Sequence, residues 1–417
     1  MPNRLERLVR VGEIEKAWLE SPSRRRALGR LAGLLAASPL LPAALQGQVD
    51  PRPFSEHRRL PGINEMLTSF DFEPLFFGNV SLQTYDYTAH GDGSEFTVRR
   101  NRQAFDWVDL VGGRAIDPKT VDLSTELFGS RLTYPIIVAP SAIMVPLHPD
   151  GEIGMHRAAT AASNTTMILS QNTSTSVEQV APAANGPLWY QMYPQQDRAA
   201  GRKMLETAQA AGCQAIVITV DQQAAYYERT QQDRNLGGNP RVAGLRVGGP
   251  GAVPTGAARY RVALTRLWYT WPYLDEVRQI VKVPLLVKGI LTPEDARLCL
   301  EHGADGIIVS NHGGRSMDYG PSTLEVLPDI VAAVGGRVPV ITDSGYRRGS
   351  DILKALALGA RAVMLGRTTR WALGAFGVPG AQRLLEIMQR ELVDAAASAG
   401  RPNVASIDRS LVRTRFI

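Results

Sequence analysis

Eight apolar runs of strand length constrain this chain more than anything else in it. They occupy residues 135–140, 166–170, 188–193, 215–221, 284–289, 306–311, 338–344 and 362–367. Each is too short for a helix and too apolar for a strand with one wet face. Between most of them lie segments with helical spacing, such as 198–211, 293–302, 322–334 and 349–358. Buried strands alternating with helices mean an α/β fold whose parallel sheet is covered on both faces. Eight such units predict a (β/α)8 TIM barrel over residues 135–417, finishing in a C-terminal helix. An open doubly wound sheet is the alternative, but Pro140-Ser141-Ala142 after the first strand is not its glycine-rich fingerprint. One connection breaks the rhythm. Residues 222–269, rich in Gly, Pro, Arg and Gln, are expected to form a lid above strand four.

The chain before the barrel divides in two. In residues 1–50, Ser23-Arg24-Arg25-Arg26 precedes an Ala/Leu-rich run from Leu31 to Leu45. An arginine pair followed by a short apolar segment is the pattern of a twin-arginine export signal. Pro39 and Pro42 break that run too early for a membrane span. The alternative is an amphipathic N-terminal helix packed on a cytoplasmic protein or lying on a membrane surface. Residues 51–134 are expected as a helical segment packed on the barrel, with helices over 79–91 and 94–107.

The charge is +6, spread along the chain with no basic block interleaved with aromatics, so nucleic acid is not an expected partner. A basic balance does suit anionic ligands. The two cysteines, Cys213 and Cys299, sit in apolar contexts and read as small core residues.

Polar residues collect at the strand ends, which in a barrel converge on one mouth. Strand one ends at Pro140-Ser141-Ala142, two at Ser170, three at Gln191 and Tyr193, four at Thr219 and Asp221. Strand five ends at Lys288, six runs into Ser310-Asn311-His312-Gly313-Gly314-Arg315, seven ends at Asp343 and eight at Gly366-Arg367. His312 can exchange a proton near neutral pH, and Arg315 can grip a carboxylate with two parallel hydrogen bonds. Lys288 on a buried strand needs an anionic partner, which an electron-rich cofactor ring would supply. The sequence from Asp343 to Gly349 and the Gly366-Arg367 turn both lead into helices, and such helix starts bind phosphate.

These motifs resemble the FMN-dependent 2-hydroxy-acid oxidases and dehydrogenases, over roughly residues 75–400 by the span of the matching motifs. The specific marker is the His-Gly-Gly-Arg loop after strand six. Leu286-Val287-Lys288-Gly289, residues 137–142 and Asp343-x-Gly345-x-Arg347-Arg348-Gly349 support it. The resemblance implies noncovalent FMN and oxidation of an (S)-2-hydroxy acid. His312 would be the base with Asp221 orienting it. Arg315 and Tyr87 would hold the carboxylate, and Tyr193 would bond the hydroxyl. Lys288 would face the reduced flavin. Pro140, Ser141, Ala142, Ser170, Gln191, Thr219 and Ser310 would hold the ring, Asp343 the ribityl chain, and Gly345, Arg347, Gly366 and Arg367 the phosphate.

The family usually carries a second substrate-side Arg seven residues after the strand-four Asp. Here that position is Glu228, with Arg229 after it and Tyr226-Tyr227 before. Ser316 and Ser170-Gln171-Asn172 also depart from the common pattern. Two arrangements follow. In one, a one-residue shift in the lid brings Arg229 to the carboxylate and the enzyme accepts ordinary small acids. In the other, favoured because Arg229 is the nearest partner for Glu228, Arg315 and Tyr87 act alone in a pocket for a bulkier, aromatic or long-chain acid. The electron acceptor is open among oxygen, a quinone and a soluble carrier, since no Cys-x-x-Cys-His motif or nicotinamide fingerprint is present. Relatives with this barrel are often tetramers, so the resemblance admits a homotetramer, while the sequence itself does not set the oligomeric state. Two other classes compete: a non-redox FMN barrel of the isopentenyl-diphosphate isomerase type, and an idle flavin-binding protein.

Overall fold

All eight expected strands form. The computed structural model describes residues 60–221 and 269–416. The barrel strands are β1 Ile136–Val138, β2 Thr166–Ser170, β3 Leu188–Met192 and β4 Ile216–Thr219. They continue as β5 Leu285–Ile290, β6 Gly306–Val309, β7 Val340–Thr342 and β8 Ala362–Leu365. They pair in parallel and in sequence order, and the barrel closes where β8 meets β1, Val363 opposite Ile136. Six of the strands stop short of their apolar runs, while β2 matches its run and β5 reaches one residue past it; the polar tips Ser170, Gln191, Thr219 and Lys288 stay in the ladder.

The barrel is filled from inside by Ile137, Ile168, Trp189, Val217, Leu286, Ile308, Ile341 and Met364, all buried. Its N-terminal end is plugged by an antiparallel hairpin, Thr125–Leu127 with Ser130–Leu132. Phe128 and Gly129 turn that hairpin with φ of +52° and +77°, both left-handed as a two-residue hairpin turn demands. Phe128 then stands edge-on to Trp189 at 5.7 Å. The sequence reading missed this hairpin, whose strands are three residues each.

Among the described residues three α-helices precede the barrel: α1 Phe72–Asn79, α2 Leu82–Ala89 and α3 Phe96–Gln103. The sequence predicts the latter two but not α1. Its run Phe-Glu-Pro-Leu-Phe-Phe-Gly-Asn has no polar face to reveal a helical period. Outside the barrel lie α4 Gly151–Ala161, α5 Val177–Val180, α6 Arg198–Ala210 and α7 Trp271–Ile280. They are followed by α8 Pro293–Glu301, α9 Thr323–Val334, α10 Gly349–Ala357 and the helical stretch α11 Arg367–Ser398. Several starts follow simple chemistry. Asp197 caps α6, Thr292 caps α8 ahead of a proline, and Ser322 with Glu325 forms a capping box on α9. α11 is two helices joined at a break, where Phe376 and Gly377 leave helical geometry. Phe376 packs edge-on against Phe72 of α1 at 6.3 Å, which seats the N-terminal helices on the end of the chain.

Residues from Leu60 onward form one compact unit, tied at its ends by pairing of Val108–Leu110 with Val412–Thr414. Among the described residues no helix is long and apolar enough to cross a membrane. The expected export signal and lid, with Glu228, Arg229 and Tyr226-Tyr227, lie outside the described residues. Cys213 and Cys299 are free and buried in the core.

Candidate active site

At the C-terminal ends of the strands lies a cleft of about 920 Å³, counted out to its open mouth. Its centre is the loop after β6. His312, Gly313 and Gly314 adopt φ of +58°, +70° and +80° in succession. A non-glycine residue held left-handed costs on the order of 1–2 kcal/mol, so the surroundings must impose it. Ser310 Oγ accepts the His312 N–H at 3.1 Å, Ser344 Oγ that of Gly313 at 3.0 Å, and Asn311 Oδ1 that of Gly314 at 3.0 Å. Asn311 in turn exchanges two amide hydrogen bonds, 2.8 and 2.9 Å, with Asn101 of α3. A Cβ on Gly314 would lie 2.7 Å from the Val98 backbone nitrogen, so only glycine lets loop and helix meet this closely.

That strained turn sets the His312 ring against buried charges. Asp221 Oδ1 lies 2.9 Å from His312 Nδ1, and its Oδ2 accepts from Lys288 Nζ at 3.2 Å. Lys288 Nζ is also 4.0 Å from Asp343 Oδ2. Burial alone would raise the Asp221 pKa, but the Lys288 charge and His312 outweigh it and hold the carboxyl at about 2. Asp221 is therefore ionised, and the Nδ1–H tautomer of His312 that donates to it leaves Nε2 as the proton acceptor. Burial, then the Lys288 charge, lowers the His312 pKa below its ordinary value against the pull of Asp221. The resting imidazole at neutral pH is the free base.

Beside it stands a cationic wall. Arg315 donates from Nη1 to the carbonyl oxygen of Tyr87, and its guanidinium lies 4.7 Å from the centre of the Tyr87 ring. The ring of Tyr193 stacks on that of His312 at 6.5 Å and 18°. Arg370 approaches the same Tyr87 ring, at 5.3 Å. The sequence reading missed Arg370. It lies three residues after Arg367, one helical turn along the same face, and that spacing was the available signal. Thr88 and Ser344 also line the cleft unannounced, as does Asn172, which the sequence marked only as a departure from the family pattern.

The opposite wall comes from β1 to β4. Gln191 Nε2 and Thr219 Oγ1 are buried without a hydrogen-bond partner among the described residues, while Ser170 Oγ donates to Gln191 Oε1 at 3.1 Å. Buried polar atoms are rarely left so, and two on one wall ask for a polar ligand. Pro140, Ser141, Ala142, Gly345, Arg347 and Gly366 line the cleft with them. The Arg347 guanidinium lies over the Trp371 ring at 4.6 Å. Arg367 laces backbone together, donating to the carbonyls of Gly313 at 2.7 Å, Thr88 at 2.8 Å and His90 at 2.9 Å. Asp221 and Ser310 stand behind the wall and reach the cleft through His312. The structure thus gathers every residue singled out from the strand tips, and Tyr87 of α2, around one mouth.

Residues 78–414 match a family model described as FMN-dependent dehydrogenase. A 2-hydroxyacid oxidase from Dictyostelium discoideum is 39% identical over 332 residues, 79% of this chain and 85% of that protein. An L-lactate oxidase from Nostoc sp. is 34% identical over 368 residues, 85% of this chain and all of that one. A crystal structure of mandelate oxidase superposes with a TM-score of 0.73 at 34% identity, covering 84% of this chain and 99% of the other.

Proposed function

This chain belongs to the FMN-dependent dehydrogenase family, and we propose that it oxidises (S)-2-hydroxy acids to 2-oxo acids with His312 as the base. The single observation that carries the roles is the Asp221 carboxylate, bonded to His312 Nδ1 on one side and Lys288 Nζ on the other. The wall fits FMN. Gln191 Nε2 and Thr219 Oγ1 offer polar atoms that the protein leaves unused, and Lys288 brings a positive charge to the same wall. Ser170 and the Pro140-Ser141-Ala142 turn would hold the ring with them. Asp343 would take the ribityl chain, and Gly345, Arg347 and Gly366 the phosphate, with Arg367 beside them. FMN, when bound, supplies the acceptor for the two electrons the hydroxy acid loses.

The geometry supports a part for each of the protein's own residues. Arg315 and Tyr87 hold the substrate carboxylate, so that its hydroxyl-bearing carbon faces His312. Tyr193, stacked on the imidazole, bonds the hydroxyl. His312 takes up the released proton at Nε2, and Asp221 stabilises the imidazolium that results. Lys288 answers the negative charge that develops on the cofactor side. Oxygen is the acceptor we propose, supported by the relatives' names as oxidases. For the substrate we infer an aromatic or long-chain acid. Tyr226-Tyr227 in the sequence and the likeness to mandelate oxidase, one of whose structures holds (S)-mandelic acid, support it.

Anaerobic mixing of the yellow protein with mandelate, lactate and glycolate tests the reading. Bleaching by a 2-hydroxy acid, fastest with mandelate, followed by recovery of colour and hydrogen peroxide on admission of air, is the expected result. A flavin that no 2-hydroxy acid bleaches would overturn it.

A further inference from the structure

Arg370 is a buried cation that pairs with no carboxylate among the described residues. It is 5% exposed, on the first turns of α11, and it lines the cleft. Its Nε donates to Thr88 Oγ1 at 3.0 Å and its Nη1 to the Ala142 carbonyl at 2.5 Å, both neutral acceptors. Nη2 has no hydrogen-bond partner among the described residues. Glu152, the carboxylate whose charge reaches it, is engaged elsewhere, accepting the N–H groups of Met144 at 2.9 Å and Ser174 at 2.8 Å and the Thr175 hydroxyl at 3.3 Å.

Nearby charge makes this worse. Arg315 shares the Tyr87 ring with it, and burial together with that like charge pulls the guanidinium down to about 10. If packing were the only need, an apolar side chain of similar volume would serve better than an unpaired buried charge. A guanidinium that keeps a free prong toward a ligand cleft, next to a second guanidinium, is arranged for an anion that arrives with the ligand.

We propose that Arg370 is a second carboxylate-binding residue, forming with Arg315 a pair of guanidinium groups on Tyr87 that grips the acid group of the substrate. Arg315 and Tyr87 then do not act alone, as the sequence suggested, and the second positive charge comes from α11. The proposal rests on the 2-hydroxy-acid reading above.

The test uses the full-length, FMN-loaded protein. The acid that bleaches the flavin fastest is identified first, and the matching 2-oxo acid (benzoylformate for mandelate, pyruvate for lactate) is then titrated by flavin absorbance. Arg370→Met should weaken that binding about 10- to 100-fold, the loss of charge-assisted hydrogen bonds. KM for the hydroxy acid should rise with kcat nearly unchanged, since the carboxylate is held equally in ground and transition states. FMN content and Tm should not move, and Arg370→Lys should fall between the two. Wild-type affinity in Arg370→Met overturns the proposal. So does loss of fold or FMN in both variants, which would assign the residue to the frame. If no acid bleaches the wild-type flavin, the functional reading falls instead, and this proposal with it.

Discussion

His312 occupies a backbone conformation that histidine adopts only under constraint, and the constraint explains its chemistry. With φ at +58° and Nδ1 committed to Asp221, the ring presents Nε2 to the cleft. Replacing it with alanine removes the base while leaving the polar atoms of β2 to β4 untouched. We expect His312→Ala to keep FMN and to slow flavin reduction by about 10²–10⁴-fold, measured by anaerobic stopped flow. Reduction at the wild-type rate would withdraw the assignment. The same site fixes a pH dependence. Burial and the Lys288 charge both disfavour the imidazolium, so the free base persists below the ordinary histidine pKa of about 6.5. The second-order rate of reduction should therefore stay level as pH falls past neutrality and drop only on the acid side of that value. Lys288→Met removes a cation that lowers the His312 pKa, so the acid limb should move to higher pH. A limb that stays in place or moves down would show that the Lys288 charge does not lower the His312 pKa. Both residues were legible in the sequence, as a histidine after an apolar run and a lysine within one. Their contact through one carboxylate was not.

The loop that carries His312 and Arg315 is set by a neighbouring helix, α3. Asn101 on α3 and Asn311 in the loop satisfy each other's amides in a buried position, and Asn311 also bonds Gly314 N–H and the Pro321 carbonyl. Arg100, one residue earlier on α3, pairs with Glu325 at 2.7 Å and so ties the same helix to the capping box of α9. Asn101→Leu would leave the Asn311 amide short of partners in a dry place. We expect a loss of about 1–3 kcal/mol in stability, read from the urea midpoint at unchanged slope. Faster amide exchange in the loop should accompany it. An unshifted midpoint would mean that α3 merely rests against the loop. At this scale the sequence was readable where a local rule applied. Period, caps and glycines announced α2, α6, α8 and α9, whereas α1 and the hairpin plug were hidden because tertiary packing, not amphipathic pattern, makes them.

Across the whole molecule, the eight strands bring groups that are distant in sequence to a single opening. Thr88 and Arg370 are 282 residues apart and share a hydrogen bond. The N-terminal helices complete the mouth, so a barrel cut at residue 135 would lack Tyr87 and the Asn101 support. The sequence ahead of the compact unit carries Arg24-Arg25 before an apolar run, and we propose that it directs export of the folded, flavin-loaded protein. Changing both arginines to lysine should leave the protein in the cytoplasm on cell fractionation. An unchanged distribution would favour the plain N-terminal helix.

The sequence by itself determined the barrel, because eight buried strands at regular spacing leave few other ways to cover both faces of a sheet. It also brought the strand-tip residues and His312 to one rim, since strand ends in such a barrel meet there whatever the loops do. Only the tertiary structure decided which charges neutralise one another there. Asp221 could have answered His312 or Lys288 and answers both. Arg367, read as a phosphate residue, has donors on three backbone carbonyls, and Arg370, unread, stands at the cleft with neutral acceptors alone. Side-chain pairing depends on distances of a few ångströms between segments far apart in the chain, and no local pattern of residues encodes them.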